Sequence, residues 1–139
     1  MNEEDAFWVF ATLMEAERSN FVSLSGLFVD GFPLLHQYYD KWEALFKKHA
    51  PKLSAHIGTQ LAEFLGIAED GRFAYAALAE RSDPMRYMVP GVYTTPWFQA
   101  MLSGGDHPAP AILAPRIMDN ILLDGHIGII FGLGISILT

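Results

Sequence analysis

Cysteine is absent from this 139-residue chain. Its absence removes disulfides, thiolate catalysis and Cys-based zinc sites together, and it is compatible with any redox compartment. Positive charge is scarce: 9 Lys and Arg stand against 16 Asp and Glu, a net charge of −7. That balance argues against a nucleic-acid partner, because phosphate binding needs clustered Lys and Arg. No secretory signal opens the chain; Met1-Asn2-Glu3-Glu4-Asp5 is acidic where such a signal is basic. Long apolar runs are missing too. The longest, Ile127 to Leu138, is well short of the ~20 residues a membrane span needs. No segment alternates apolar and polar residues with period two, so strands are not expected.

What is present is apolar. Hydrophobic residues make up 51% and charged residues 18%, which rules out a disordered chain. The length suits one domain, or part of one. Area scaling for this mass gives roughly 7,000 Å² exposed when folded. Charge is uneven: residues 87–139 carry only Asp106, Arg116, Asp119 and Asp124. So few charges cannot give such a stretch a soluble surface of its own. It is expected to pack on the first 86 residues, or on a partner surface outside this chain. Six of the eight prolines also lie between 84 and 115.

The periodicity is helical throughout. Asn2 suits an N-cap, and Glu3, Glu4 and Asp5 suit the positive end of a helix dipole. Phe7, Phe10, Ala11 and Met14 give a helical face, and Trp8, Val9 and Leu13 widen it almost all round. Such a helix is expected to be buried on several sides. Asp30-Gly31-Phe32-Pro33 breaks the short apolar stretch from Phe21 to Val29 and restarts a helix. Phe32, Leu35, Tyr39, Trp42, Phe46 and His49 follow as a stripe of about five turns. Pro51 opens the next helix at a position where a missing N–H costs nothing, with Leu53, Ile57, Leu61 and Phe64 on its face and Gly66 as its stop. Residues 67–91 read as irregular, with a short helix over Ala74–Glu80 and a loop through Pro84, Pro90 and Gly91. Another helix is expected to start at Trp97, Ala100 and Met101 and to stop at Ser103-Gly104-Gly105. Ile112–Leu123 and Ile127–Leu138 read as the last two helices, the first stopped by Gly125, the second weakened by Gly128, Gly132 and Gly134. The fold class is all-α, with six to eight helices.

Chemistry-bearing patterns are few. His36, His49, His56, His107 and His126 form no HExxH motif and read as helix-surface or partly buried histidines, so no metal site is expected. Ser23 and Ser25 lack a G-x-S-x-G context and read as helix-end serines. Gly104-Gly105-Asp106 lacks the lysine of a phosphate-binding loop and reads as a linker. Lys47, Lys48 and Lys52 read as a solvated helix end that complements the dipole, the alternative being a contact for an acidic partner or a lipid headgroup. Met85 and Met88 read as loop anchors. No catalytic constellation and no cofactor site emerges.

Three segments, in order, resemble the second half of a TBC domain, the Rab GTPase-activating module. Glu4-Asp5-Ala6-Phe7-Trp8 through Leu13-Met14 is similar to the family's acidic-Ala-Phe-Trp helix. Leu27-Phe28, Gly31, Leu34-Leu35, Tyr39, Leu45, Pro51, Leu53 and His56 resemble its long helix and the P-x-L-x-x-H start of the next. Trp97-Phe98, Arg116-Ile117-Met118-Asp119 and Leu122-Leu123-Asp124-Gly125 resemble its Trp-Phe and Arg-Ile-Trp-Asp signatures and its acidic-Gly stop. Met118 departs from the usual Trp, and 67–91 looks like an insertion.

The resemblance implies a carboxy-terminal TBC part over 1–139, an activator and not an enzyme, acting on a small Rab-type GTPase in vesicle traffic. It implies a cytoplasmic setting, with membrane association peripheral at most. The family works with an Arg finger from I-x-x-D-x-x-R and a Gln finger from Y-x-Q, by charge neutralisation and positioning. Neither motif occurs here. Asp83-Pro84-Met85-Arg86 has Glu80 where Ile is needed, and Trp97-Phe98-Gln99 is the nearest to Y-x-Q. No catalytic residue is therefore assigned, and an amino-terminal half carrying the fingers is expected as a partner. Phe7, Trp8, Pro51, Trp97, Arg116, Asp119 and Gly125 are signature positions expected to serve the fold, with Arg116 and Asp119 as a buried i, i+3 pair. The alternatives are a finger-less GTPase-binding or scaffold domain and, more weakly, a peripheral membrane protein using Ile127–Leu138.

Overall fold

The computed structural model describes residues 2–15, 23–64, 88–104, 110 and 112–139, with the backbone alone at 61, 62, 64, 88 and 89. It is all-α, as the periodicity requires. Helix α1 (Glu3–Glu15) is followed by a 3₁₀ turn (Leu24–Leu27), α2 (Pro33–His49), α3 (Pro51–Phe64), α4 (Met88–Gln99), α5 (Ala114–Asp124) and α6 (Gly128–Leu138). No helix among the described residues is long and apolar enough to cross a membrane. The expected Ala74–Glu80 helix, the Gly66 stop, residues 67–87 of the expected insertion, Gly105, Asp106 and His107 lie outside the described residues.

Helix α2 is the centre of the fold. It buries Leu34, Leu35, Tyr38, Tyr39, Trp42 and Phe46, two adjacent rows that make the apolar face wider than the single stripe read from the sequence. The ends of that stripe, Phe32 and His49, are exposed. The 3₁₀ turn, α3, α4 and α6 all pack on α2, α1 docks on the 3₁₀ turn, and α5 packs on α6. Pro33 occupies the first turn of α2, Pro51 opens α3, and Pro115 lies in the first turn of α5. In each case the missing N–H is one that no carbonyl would have accepted.

The structure corrects two expectations. The first concerns residues 88–101. Pro90-Gly91 is helical, and the helix ends near Trp97 instead of starting there. Pro90 stands in the first turn, where proline is tolerated. The Thr94 and Thr95 hydroxyls donate to the carbonyls of Pro90 and Gly91, each at 2.6 Å. Pro96 then removes the N–H that the Val92 carbonyl would accept, and the helix stops within a turn. Met101 and Leu102 follow in left-handed conformations, φ 49° and 63°.

The second correction concerns α1, which is not buried on several sides. Only Leu13 is fully buried, and Phe7, Trp8 and Phe10 are 60%, 60% and 56% exposed. The 3₁₀ turn and its neighbours cover one flank, and no described element covers the other. The whole chain exposes 9017 Å², more than the roughly 7,000 Å² of a compact chain of this mass.

Candidate interaction face

Helix α1 is started by Asn2, whose Oδ1 accepts from the Asp5 N–H at 2.7 Å, satisfying one of the unpaired first-turn donors. Its inner flank, with Val9, Leu13 and Met14, lines an apolar groove of about 350 Å³. The 3₁₀ turn, the end of α4 and Met118 of α5 close the other sides. The walls are tied by polar bonds: Gln99 Nε2 donates to the Leu27 carbonyl at 3.0 Å, and Ser23 Oγ donates to the Met14 carbonyl at 2.5 Å. Ser23 also accepts from the Ser25 N–H, so it serves a helix end as its sequence context suggested. The outer flank carries Phe7 and Trp8, edge-on to each other at 5.3 Å between ring centroids.

Below this surface lies an aromatic cluster centred on Trp42, which is fully buried. Trp97 meets Trp42 edge-on at 5.4 Å, Phe46 stacks on it at 5.4 Å, and Tyr93 stands 5.8 Å from Trp97. The Trp42 indole Nε1 donates to the Tyr93 hydroxyl at 2.9 Å. The Tyr39 hydroxyl bonds the Thr95 hydroxyl. The proton of Thr95 already goes to Gly91, so Tyr39 is the donor. Burial pushes the Tyr38 and Tyr93 phenols up to about 12; at Tyr93 the Trp42 bond pulls the other way and the Glu43 charge adds to the rise. Gly134 of α6 sits against both indoles, and a Cβ there would lie 2.8 Å from Trp42 and 2.9 Å from Trp97.

The signature positions separate into distinct roles. Phe7 and Trp8 are exposed together on α1. Trp97 joins the aromatic cluster. Pro51 is exposed at the corner between α2 and α3. Gly125 is buried at the end of α5 with φ 71°, and its N–H bonds the Ile121 carbonyl at 3.0 Å. That left-handed stop suits glycine. Arg116 and Asp119 are both exposed on α5, so the expected buried pair does not form. The helix turns Ile117 and Ile121 inward instead, and positions 116 and 119 fall off that face.

Sequence reasoning missed Tyr93 and Gly134. A glycine inside an apolar helix, here in a Gly-x-Gly pair at 132 and 134, is the available signal for close approach. Among the described residues no group of three or more potential metal ligands converges. His49, His56 and His126 are exposed, and the His126 Nδ1 accepts from the Gly128 N–H at 3.0 Å. The arrangement therefore offers apolar surface on a rigid aromatic support.

The comparisons fall on the front of this assembly. Residues 1–67 match the family model of the Rab-GTPase-TBC domain. That span covers α1, the 3₁₀ turn, α2 and α3, and holds the first two of the three resembling segments; Trp97 and the α5 signature lie beyond it. No solved structure matches the chain. Over residues 1–67, just under half of its length, this chain is similar to the Rab-GTPase-TBC domain family.

Proposed function

We propose that this chain is the carboxy-terminal part of a Rab GTPase-activating domain. Its parent stimulates GTP hydrolysis by a small Rab-type GTPase in vesicle traffic, in the cytoplasm at endomembrane surfaces. The observation that carries the reading is the family match over residues 1–67, falling on a helix whose Phe7–Trp8 flank is uncovered. In this reading an amino-terminal half packs on that flank and supplies the Arg and Gln fingers. The chain contributes the scaffold that holds them and not the catalytic groups. An Arg finger alone is worth about 10³–10⁵ in rate, so the chain without the fingers does not accelerate hydrolysis.

The transcript upstream of the Met1 codon tests this. An open frame encoding I-x-x-D-x-x-R and then Y-x-Q supports the proposal. An in-frame stop just upstream contradicts it and favours the finger-less binding domain, to which the absence of both motifs from the sequence also points. The two also differ in solution. A self-sufficient binding domain unfolds cooperatively and captures a GTP-loaded GTPase by itself.

A further inference from the structure

All four lysines of the chain, Lys41, Lys47, Lys48 and Lys52, lie within twelve residues. On α2, Lys41, Leu45 and Lys48 follow one another at helical spacing along one flank. Asp40, Glu43 and Lys47 share the other. Helix α6 lies along the first flank. Lys41, Ala44 and Leu45 form one hollow of about 400 Å³ with Gly128 and Phe131. Lys52 and Leu53 form another, of about 340 Å³, with Leu138 and Thr139. An apolar helix is thus edged by lysines from its start to its end. Helix α6 carries no charged residue. Ile129, Phe131, Leu133 and Ile135 are only partly covered, and Ile137 is 63% exposed. The acidic groups on elements packed against α6 are Asp40 and Glu43 of α2, on the flank of α2 away from Lys41 and Lys48, and Asp119 and Asp124 of α5.

We propose that the outer face of α6, with Lys41, Lys48 and Lys52, docks on an anionic lipid surface. Charge complementarity selects the occupant. Lysines at the edge attract acidic headgroups, while an apolar, glycine-containing helix whose one aromatic ring, Phe131, packs on Tyr38 and Phe98 enters the boundary between headgroup and acyl chain. A protein partner would use aromatic or arginine anchors and paired hydrogen bonds. On this face Ser136 is the one polar side chain of α6 before Thr139, and its hydroxyl is spent on the Gly132 carbonyl at 2.9 Å. The surface is distinct from the α1 flank assigned to the amino-terminal half, so the two proposals stand or fall separately.

The test is flotation of the 139-residue chain with phosphatidylcholine vesicles, with and without phosphatidylserine, because flotation separates bound protein from aggregates. The chain is expected to float with the serine-containing vesicles only, and less as salt is raised. The combined variant Lys41→Gln, Lys48→Gln and Lys52→Gln is expected to partition about a hundredfold more weakly, and Lys48→Gln alone about fivefold. Ile137→Asp is expected to abolish flotation with the lysines intact. Circular dichroism of each variant reports its fold. No flotation with anionic vesicles, equal flotation with neutral ones, or unchanged binding of folded lysine variants overturns the proposal.

Discussion

Gly134 faces the point where two indoles meet, and its side-chain hydrogen leaves just enough room for both. An added methyl would come within 3.0 Å of fixed ring carbons of Trp42 and Trp97. Overpacking of this kind costs about 1–3 kcal/mol, which outweighs the ~1 kcal/mol that alanine gains over glycine in a helix. Gly132 has open space around its Cβ position. In urea unfolding, Gly134→Ala is therefore expected to destabilise and Gly132→Ala to stabilise by up to about 1 kcal/mol. From sequence both glycines look alike, as helix-weakening residues, because the indoles that distinguish them come from α2 and α4. Tyr93→Phe leaves the buried Trp42 N–H without its acceptor and is expected to cost about 1–3 kcal/mol. The phenols carry a pH signature as well. Tyr38 and Tyr93 hold their protons more tightly folded than unfolded. Their contribution is complete below pH 10 and is lost as pH rises towards 12. Thermal unfolding across that window checks the sign.

At the scale of the element, α2 was the most legible. Its row of apolar residues at steps of three and four is long, and proline and glycine mark its entry. The Asn2 cap of α1 and the Gly125 stop of α5 were legible for the same reason: their chemistry is local. Gly125→Ala is expected to cost about 1–2 kcal/mol, since an L-residue is strained in the left-handed region, with the loss read from a shifted urea midpoint. Helix α4 was not legible. Pro90, Gly91 and Pro96 lower its intrinsic propensity, and it forms against that preference because Thr95 bonds Tyr39 while Tyr93 and Trp97 pack on Trp42. Tertiary contacts of this kind override propensity and leave little trace in the local pattern. The Arg116–Asp119 pair failed for a geometric reason: the helix face defined by Ile117 and Ile121 leaves both residues outside.

At the scale of the whole molecule, covering is uneven. Helix α2 is surrounded, whereas α1 fully buries one side chain. A fully buried leucine contributes about 1.5–3 kcal/mol, and ordering each residue of a helix costs about 1–2 kcal/mol. Within the isolated chain α1 is therefore expected to open more readily than α2. Native-state hydrogen exchange is expected to protect α2 amides far more than those of α1. Trp8→Ser is expected to change the stability of the isolated chain by only about 0.5 kcal/mol, because the ring is 60% exposed and what it loses is chiefly the edge-on contact with Phe7. Fusion behind an amino-terminal TBC half should make the same substitution destabilising.

Single-turnover GTP hydrolysis by a panel of Rab-type GTPases tests the central claim most directly. It is measured with the 139-residue chain alone and with the same chain fused behind an amino-terminal TBC half that carries both fingers. The account predicts no acceleration by the chain alone and acceleration of at least one GTPase by the joined protein. Acceleration by the chain alone, or none by a folded joined protein carrying both fingers, would contradict it.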